Sequence, residues 1–171
     1  LSDLNTSNVE FTTAGTMTVK GVDYVGGLIG YMTDQSELLS DNTKNPESGN
    51  IPSSTEHTLD FHGNVQGANY VGGIAGYNTA NGVIDGNAKQ CANVTGLSYV
   101  GGIAGGNAGK INGADVEPDS YSDPLPVISA TSTGKAYVGG ICGVNTGTIR
   151  SAHPEAVVSG TMIVGGVVGQ N

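Results

Sequence analysis

The sequence predicts an all-β protein, a parallel β-solenoid with about five to six coils that wind in the right-handed sense of a β-helix. Three observations predict this fold class. One short segment recurs five times, its copies are too short to fold alone, and 29 of the 171 residues are glycine, against an average of about 7%. The handedness is expected because crossovers between parallel strands are overwhelmingly right-handed.

The repeated segment has the pattern Tyr-Val-Gly-Gly, an apolar residue, a variable residue and Gly. Its five copies are Tyr24–Gly30, Tyr70–Gly76, Tyr99–Gly105, Tyr137–Gly143 and Ile163–Gly169. Successive copies start 46, 29, 38 and 26 residues apart, so the shortest period is about 26 to 29 residues. A unit of that length holds about three strands and must stack on its neighbours to bury its apolar residues.

Stacking places each residue on its copy in the next coil, about 4.8 Å away. Two apolar columns are therefore expected to fill the interior. The first consists of Val25, Val71, Val100, Val138 and Val164. The second consists of Leu28, Ile74, Ile103, Ile141 and Val167.

The glycine columns are predicted to mark bends where a Cβ would clash or where φ is positive. They contain Gly26, Gly27, Gly30, Gly72, Gly73, Gly76, Gly101, Gly102, Gly105, Gly139, Gly140, Gly143, Gly165, Gly166 and Gly169.

An asparagine follows most copies of the repeat and is predicted to form a hydrogen-bonded ladder at a turn. This column contains Asn78, Asn107, Asn145 and Asn171, and an isoleucine follows it at Ile84, Ile111 and Ile149. The first copy departs from the pattern, because Met32 occupies the asparagine column.

The repeats cover residues 15–171, and residues 1–14, which do not match them, are predicted to form an N-terminal cap. Insertions rich in Ser, Asn, Asp and Pro are expected near 32–58 and 113–129. Because loops on a rigid scaffold often carry specificity, any recognition site is expected there first. The last repeat has no polar cap, so we expect the chain to continue as part of a larger parent protein.

Composition excludes several classes of function. The formal net charge of −9 repels nucleic acid and anionic membrane surfaces. No apolar run is long enough for a membrane helix, so no membrane insertion is expected. With 37% apolar residues the chain is also too hydrophobic for a disordered tract.

The residues that could carry chemistry predict no catalytic site, no metal site and no cofactor. The glycine-rich segment 105–110 lacks the spacing of a phosphate-binding loop. Cys91 and Cys142 fit neither a disulfide framework nor a zinc site in number or spacing, although their pairing stays open. Small or apolar residues replace Cys142 in the other copies, so it is predicted to be a small buried thiol.

The histidines and the clustered carboxylates are likewise predicted to be ordinary surface or strand residues. His57 and His62 are five residues apart on a predicted strand, which places them on opposite faces. His153 precedes a proline and is predicted to lie in a surface turn. Four carboxylates in the second insertion are predicted to form a solvated loop, with a calcium site left open. They are Asp115, Glu117, Asp119 and Asp123, within residues 115–123.

A column of tyrosines has two interpretations. Tyr24, Tyr70, Tyr99 and Tyr137 could contact a ligand by stacking on sugar rings, or they could pack on one another and cover the bend. The second interpretation is favoured.

The segments VGGLIG, VGGIAG and VGGICG, followed by an asparagine and then an isoleucine, resemble the GLUG motif. That repeat occurs in large secreted and surface proteins of bacteria, including filamentous-haemagglutinin-like adhesins and the non-catalytic parts of some immunoglobulin A-cleaving peptidases. The resemblance implies a non-enzymatic, extracellular or cell-surface repeat module for cell adhesion. It would serve as a rigid spacer or display scaffold whose insertion loops bind a host surface protein or glycan. The alternatives are a carbohydrate-binding module that uses the tyrosine column and a non-catalytic segment of a secreted peptidase.

Overall fold

A computed structural model describes residues 17–39, 59–91, 93–132, 134 and 136–171, and it confirms a parallel β-solenoid. The strands of coil 1 are β1 (Met17–Lys20), β2 (Asp23–Gly26), β3 (Ile29–Met32), β4 (Glu37–Leu39) and β5 (Leu59–Phe61). Those of coil 2 are β6 (Gly63–Gln66), β7 (Asn69–Gly72), β8 (Ala75–Asn78) and β9 (Val83–Gln90). Those of coil 3 are β10 (Val94–Gly96), β11 (Ser98–Gly101), β12 (Ala104–Asn107) and β13 (Lys110–Val116). Those of coil 4 are β14 (Val127–Ala130), β15 (Tyr137–Gly139), β16 (Cys142–Asn145) and β17 (Thr148–Pro154). Those of coil 5 are β18 (Val157–Ser159), β19 (Ile163–Gly165) and β20 (Val168–Gln170).

Each strand pairs in parallel with its equivalents in the neighbouring coils, which builds four sheets. We number them in the order in which the chain visits them: sheet 1 begins with β1, sheet 2 with β2, sheet 3 with β3 and sheet 4 with β4. The expected three strands per coil is therefore wrong, because the turn at the asparagine column leads into a fourth strand. That strand carries the isoleucine column, in which Leu38, Ile84, Ile111 and Ile149 are in register.

The predicted apolar columns fill the interior. Val71, Val100 and Val138 are in register and fully buried, and Val25 is nearly so. Ile74, Ile103 and Ile141 are also fully buried. The exceptions lie in the two outer coils: Leu28 in coil 1 is partly buried, and Val164 and Val167 in coil 5 are 43% and 42% exposed.

The glycine bends are hydrogen-bonded from coil to coil as regularly as the strands. Gly27 N donates to Gly73 O over 3.1 Å, and Gly73 N donates to Gly102 O over 3.0 Å. Of the two reasons expected for glycine, steric clash is the one found: a Cβ on Gly76 would lie 2.6 Å from Val25 N, a distance that real side chains do not tolerate. Gly166 in coil 5 contradicts the prediction, because a Cβ there would have no described atom within 4 Å. Among the described glycines a positive φ occurs at Gly113, outside the repeated columns.

The first insertion enters the solenoid within sheet 4. Residues 32–39 belong to coil 1, where β4 pairs with the first half of β9 and β5 pairs with its second half. Residues 40–58, like the expected cap at 1–14, lie outside the described residues.

The second insertion is shorter than expected. Residues 113–116 belong to β13 and residues 127–129 to β14, which leaves 117–126 as the connecting loop. In the part of the chain that the structure covers, no helix is long and apolar enough to cross a membrane.

Candidate functional site: a tyrosine face and an ionisable corner

The tyrosine column forms a stacked ladder on the outside of sheet 2. The ring centroids of Tyr24 and Tyr70 are 5.1 Å apart, those of Tyr70 and Tyr99 4.6 Å, and those of Tyr99 and Tyr137 5.2 Å. The rings are parallel to within 7°. Tyr70 and Tyr99 therefore each have a tyrosine on both faces, so neither face of these two rings is free to stack on a sugar.

The ladder depends on an unusual backbone conformation. Tyr24, Tyr70 and Tyr99 have φ values of 53°, 52° and 53°, in the left-handed region. This conformation costs about 1–2 kcal/mol for each non-glycine residue. The fold repeats it in three successive coils, so contacts of the ring must offset the cost, and the stacking of each ring on the next supplies such a contact.

A second tyrosine column, which sequence reasoning missed, extends the face onto sheet 3. Tyr31 and Tyr77 are in register and stack at 5.6 Å, and their edges meet the first column at nearly right angles. Tyr31 is separated from Tyr24 by 5.1 Å between ring centroids, and Tyr77 from Tyr70 by 5.3 Å. The signal was the tyrosine directly after the last glycine of the first two copies.

The tyrosines of this face are most exposed at coil 1 and most buried at coil 4. Tyr24 and Tyr31 are 42% and 49% exposed, whereas Tyr137 is 9% exposed. Partial burial, followed by the neighbouring tyrosines, raises the pKa of Tyr70 and of Tyr77 above the ordinary value of 10. The hydroxyls of Tyr70 and Tyr77 therefore stay protonated at neutral pH, and the face presents ring edges and hydroxyl groups.

The asparagine column forms the predicted ladder along the turn between sheets 3 and 4. Asn78 Nδ2 donates to Asn107 Oδ1 over 2.8 Å, and Asn107 Nδ2 donates to Asn145 Oδ1 over 2.7 Å. Asn145 continues the ladder to Asn171 over 2.7 Å. The Met32 side chain has no donor to offer, and among the described residues Asn78 Oδ1 has no hydrogen-bond partner.

The corner between sheets 4 and 1 gathers several ionisable side chains. His62 follows β5, Cys91 follows β9, and Asp119 lies in the loop after β13. Their nitrogen, sulfur and oxygen ligand atoms all lie within 4.8 Å of one another. Sequence reasoning missed this group, although His62 and Cys91 are separated by 29 residues, the same interval that separates Tyr70 from Tyr99.

The two cysteines are both free thiols. Cys142 is fully buried in register with Ala104 and Val168, as its column predicts. Burial raises the pKa of Cys142 to about 12, so the thiol behaves as a small apolar group. Cys91 is partly buried beside the charged corner.

The acidic residues of the second insertion do not converge on one point. Asp115 Oδ1 lies 3.2 Å from His153 Nδ1, Glu117 Oε1 lies 3.0 Å from Lys89 Nζ, and Asp119 turns to His62. His153 is exposed as expected, but the predicted turn is wrong because it lies in strand β17, opposite Asp115 in the register.

The second histidine of the expected strand pair, His57, lies outside the described residues.

Searches of protein-family models, curated proteins and solved structures found no match to the chain. Fold and site together define the class of the protein: a parallel β-solenoid built from tandem repeats, with an aromatic face on one side and an ionisable corner on another.

Proposed function

We propose that this chain is a non-enzymatic spacer and display scaffold of the adhesin type, secreted or held at a bacterial cell surface. One observation carries the mechanical part of the proposal: coils 1 to 4 are hydrogen-bonded to one another along four sheets, coil 5 is bonded to coil 4 along three, and the glycine bends are bonded as well. Bonding at the bends leaves no hinge between the described parts of successive coils, so the stack acts as a stiff rod. The resemblance to GLUG repeats supports the assignment to surface proteins.

The display part rests on where the insertions leave the rod. The first interrupts sheet 4 between β4 and β5, and the loop 117–126 follows β13 of the same sheet. Both insertions therefore leave from one side of the solenoid. Loops grouped on one side of a rigid scaffold can contact one partner together, for which a host surface protein or a glycan is the class we propose.

Amide hydrogen exchange tests the stiffness. The bend amides of Gly73, Ile103 and Ile141 each donate to a carbonyl of the next coil, at 3.0, 2.9 and 2.9 Å. We expect these amides to be protected nearly as strongly as those of the buried strands. Exchange at the bends that is as fast as in the loop 117–126 would show that the coils hinge, and the spacer function would fail.

Loop replacement tests the display. Residues 40–58 and 117–126 would each be replaced by a Gly-Ser linker, and the purified variants tested against immobilised matrix proteins and glycans. We expect binding to be lost and the urea midpoint to change little, because residues 117–126 lie outside the strands and the first replacement spares β4 and β5. Loss of folding in both variants would show that the insertions are structural elements instead.

A carbohydrate-binding surface is the second candidate, favoured by the exposure of Tyr24 and Tyr31 at the open end of the tyrosine face. Under this alternative, glycan binding survives loop replacement and is lost in the Tyr24→Ala/Tyr31→Ala double variant. Tyr121→Ala is the matched control, because Tyr121 is fully exposed in the loop 117–126 and lies outside the face.

A further inference from the structure

We propose that His62, Cys91 and Asp119 form a binding site for a divalent transition metal, with zinc as the ion that fits best. The site goes beyond the spacer function and does not depend on it. Its residues come from three consecutive passes of the chain through one corner of the solenoid.

Stacking of the coils explains why the first two ligands meet. His62 and Cys91 each occupy the position directly after the sheet 4 strand, and Cys91 N donates to Phe61 O over 3.3 Å. Equivalent positions in stacked coils are separated by about 4.8 Å along the rod. The corner therefore places an imidazole and a thiol side by side in every folded molecule, without help from the loops.

Asp119 reaches the same point from the loop that replaces a short corner in the next coil. Its Oδ1 lies 3.6 Å from His62 Nδ1. Tetrahedral zinc, with bonds of about 2.0–2.3 Å, requires its ligand atoms to be about 3.3–3.8 Å apart. The His62–Asp119 pair meets this requirement, and the upper limit of 4.8 Å for the whole group leaves at most about 1.5 Å to close. Asp119 is 62% exposed in a loop, so it has room to move.

Charges around the group favour a cation. Asp60 and Glu117 lie near the thiol together with Asp119, whereas the nearby cation, Lys89, forms a 3.0 Å ion pair with Glu117. Burial, aided by these carboxylates and opposed by Lys89, raises the pKa of Cys91 to about 11. The thiol is thus protonated in the metal-free protein, and a bound ion would have to displace that proton.

The donor set points to zinc rather than to calcium or magnesium. One imidazole nitrogen, one thiolate sulfur and one carboxylate oxygen suit an ion of borderline softness, while calcium and magnesium prefer oxygen ligands alone. On binding, the Cys91 S–H bond breaks, the proton passes to solvent and a sulfur–metal bond forms. Three protein ligands leave a fourth position of the tetrahedron, which water can take because His62 is 30% exposed.

A bound ion would also attach the loop 117–126 to coils 1 and 2, because Asp119 lies in the loop, His62 follows coil 1 and Cys91 follows coil 2. Loop and coils are also joined at this corner by the half-buried Lys89–Glu117 ion pair and by a 3.2 Å hydrogen bond that Glu117 N donates to Gln90 O, both at the first residue of the loop. The ion would therefore act as a clip that holds the displayed loop in one position.

Cobalt(II) and zinc titrations of the full chain test the proposal. We expect one cobalt per chain, with visible bands of a tetrahedral ion and a thiolate-to-cobalt band in the near ultraviolet. Zinc should displace the cobalt and slow proteolysis within 117–126. Cys91→Ser should abolish the thiolate band. His62→Gln should weaken zinc binding at least tenfold, because mutation of a residue that only hydrogen-bonds to a metal ligand already lowers metal affinity about tenfold or more.

Cys142→Ala is the matched control, because alanine already occupies that column in coils 2 and 3 at Ala75 and Ala104. It should leave the cobalt spectrum and the zinc affinity unchanged. Two results would overturn the proposal: no cobalt spectrum with the intact chain, or a thiolate band that persists in Cys91→Ser. Circular dichroism of each variant distinguishes loss of a ligand from loss of the fold.

Discussion

Replacement of Asn107 by alanine tests how much the asparagine ladder stabilises the solenoid. Asn107 is 2% exposed and occupies the middle of the ladder. The change removes the acceptor of Asn78 Nδ2, which retains the carbonyl oxygens of Gly82 at 3.3 Å and Lys110 at 3.2 Å, so this loss is worth about 1 kcal/mol. It also leaves Asn145 Oδ1 buried without its donor, which costs about 1–3 kcal/mol. The expected destabilisation is therefore about 3 kcal/mol.

The matched control is Asn171→Ala at the exposed end of the same ladder. Asn171 accepts one bond of 2.7 Å from Asn145 Nδ2, which also contacts Gly147 O at 3.2 Å. Its removal strands no buried group and is expected to cost about 1 kcal/mol. The free energy of unfolding would be measured by urea titration. If the two variants lower the free energy of unfolding by the same amount to within about 0.5 kcal/mol, burial does not determine how much each asparagine of the ladder contributes, and the reasoning fails.

Three further outcomes are expected. Ser151 has a φ of 50° at the strand position that Gly113 occupies one coil earlier with a φ of 71°, so Ser151→Gly should raise the free energy of unfolding by about 1 kcal/mol; an unchanged urea midpoint would argue against strain there. Because the folded-state pKa of Tyr70 and of Tyr77 is raised, their contribution to stability is complete below pH 10 and is lost as the pH rises through the folded-state value. Unfolding measured from pH 9 to 12 should show this loss, and a Tyr70→Phe/Tyr77→Phe variant whose stability falls just as steeply would contradict it. The buried Cys142 thiol, with its pKa of about 12, should be alkylated only after unfolding, and mass spectrometry that finds it labelled in the native protein at pH 8 would refute its burial.

The columns of the solenoid could be predicted because the stacking is parallel and in register. In that arrangement each residue contacts its own copy, so a repeat in the sequence becomes a column in space. Val71 on Val100 and Asn107 on Asn145 both follow from this rule alone. Met32 also fits it, since the break in the asparagine column at coil 1 is visible in the printed sequence.

Sheet 4 could not be predicted in the same way. Its strands share few residues beyond the isoleucine column, and in coil 1 the insertion divides the strand into β4 and β5. The sequence predicts a turn at His153 because Pro154 follows it. In the structure Pro154 ends β17, an edge strand of the sheet, where a missing backbone donor is tolerated.

What stacks along the rod can be derived from the printed sequence, because the apolar core, the asparagine ladder and the tyrosine column all follow from the period of the repeat. Contacts across the rod depend on the three-dimensional path of the chain. The packing of Tyr31 and Tyr77 against the tyrosine column depends on how tightly the chain bends between sheets 2 and 3. The approach of Asp119 to His62 and Cys91 depends on the path of a loop that belongs to no repeat. A period determines the neighbours of a residue in one direction, whereas bend angles and loop paths determine them in the other two.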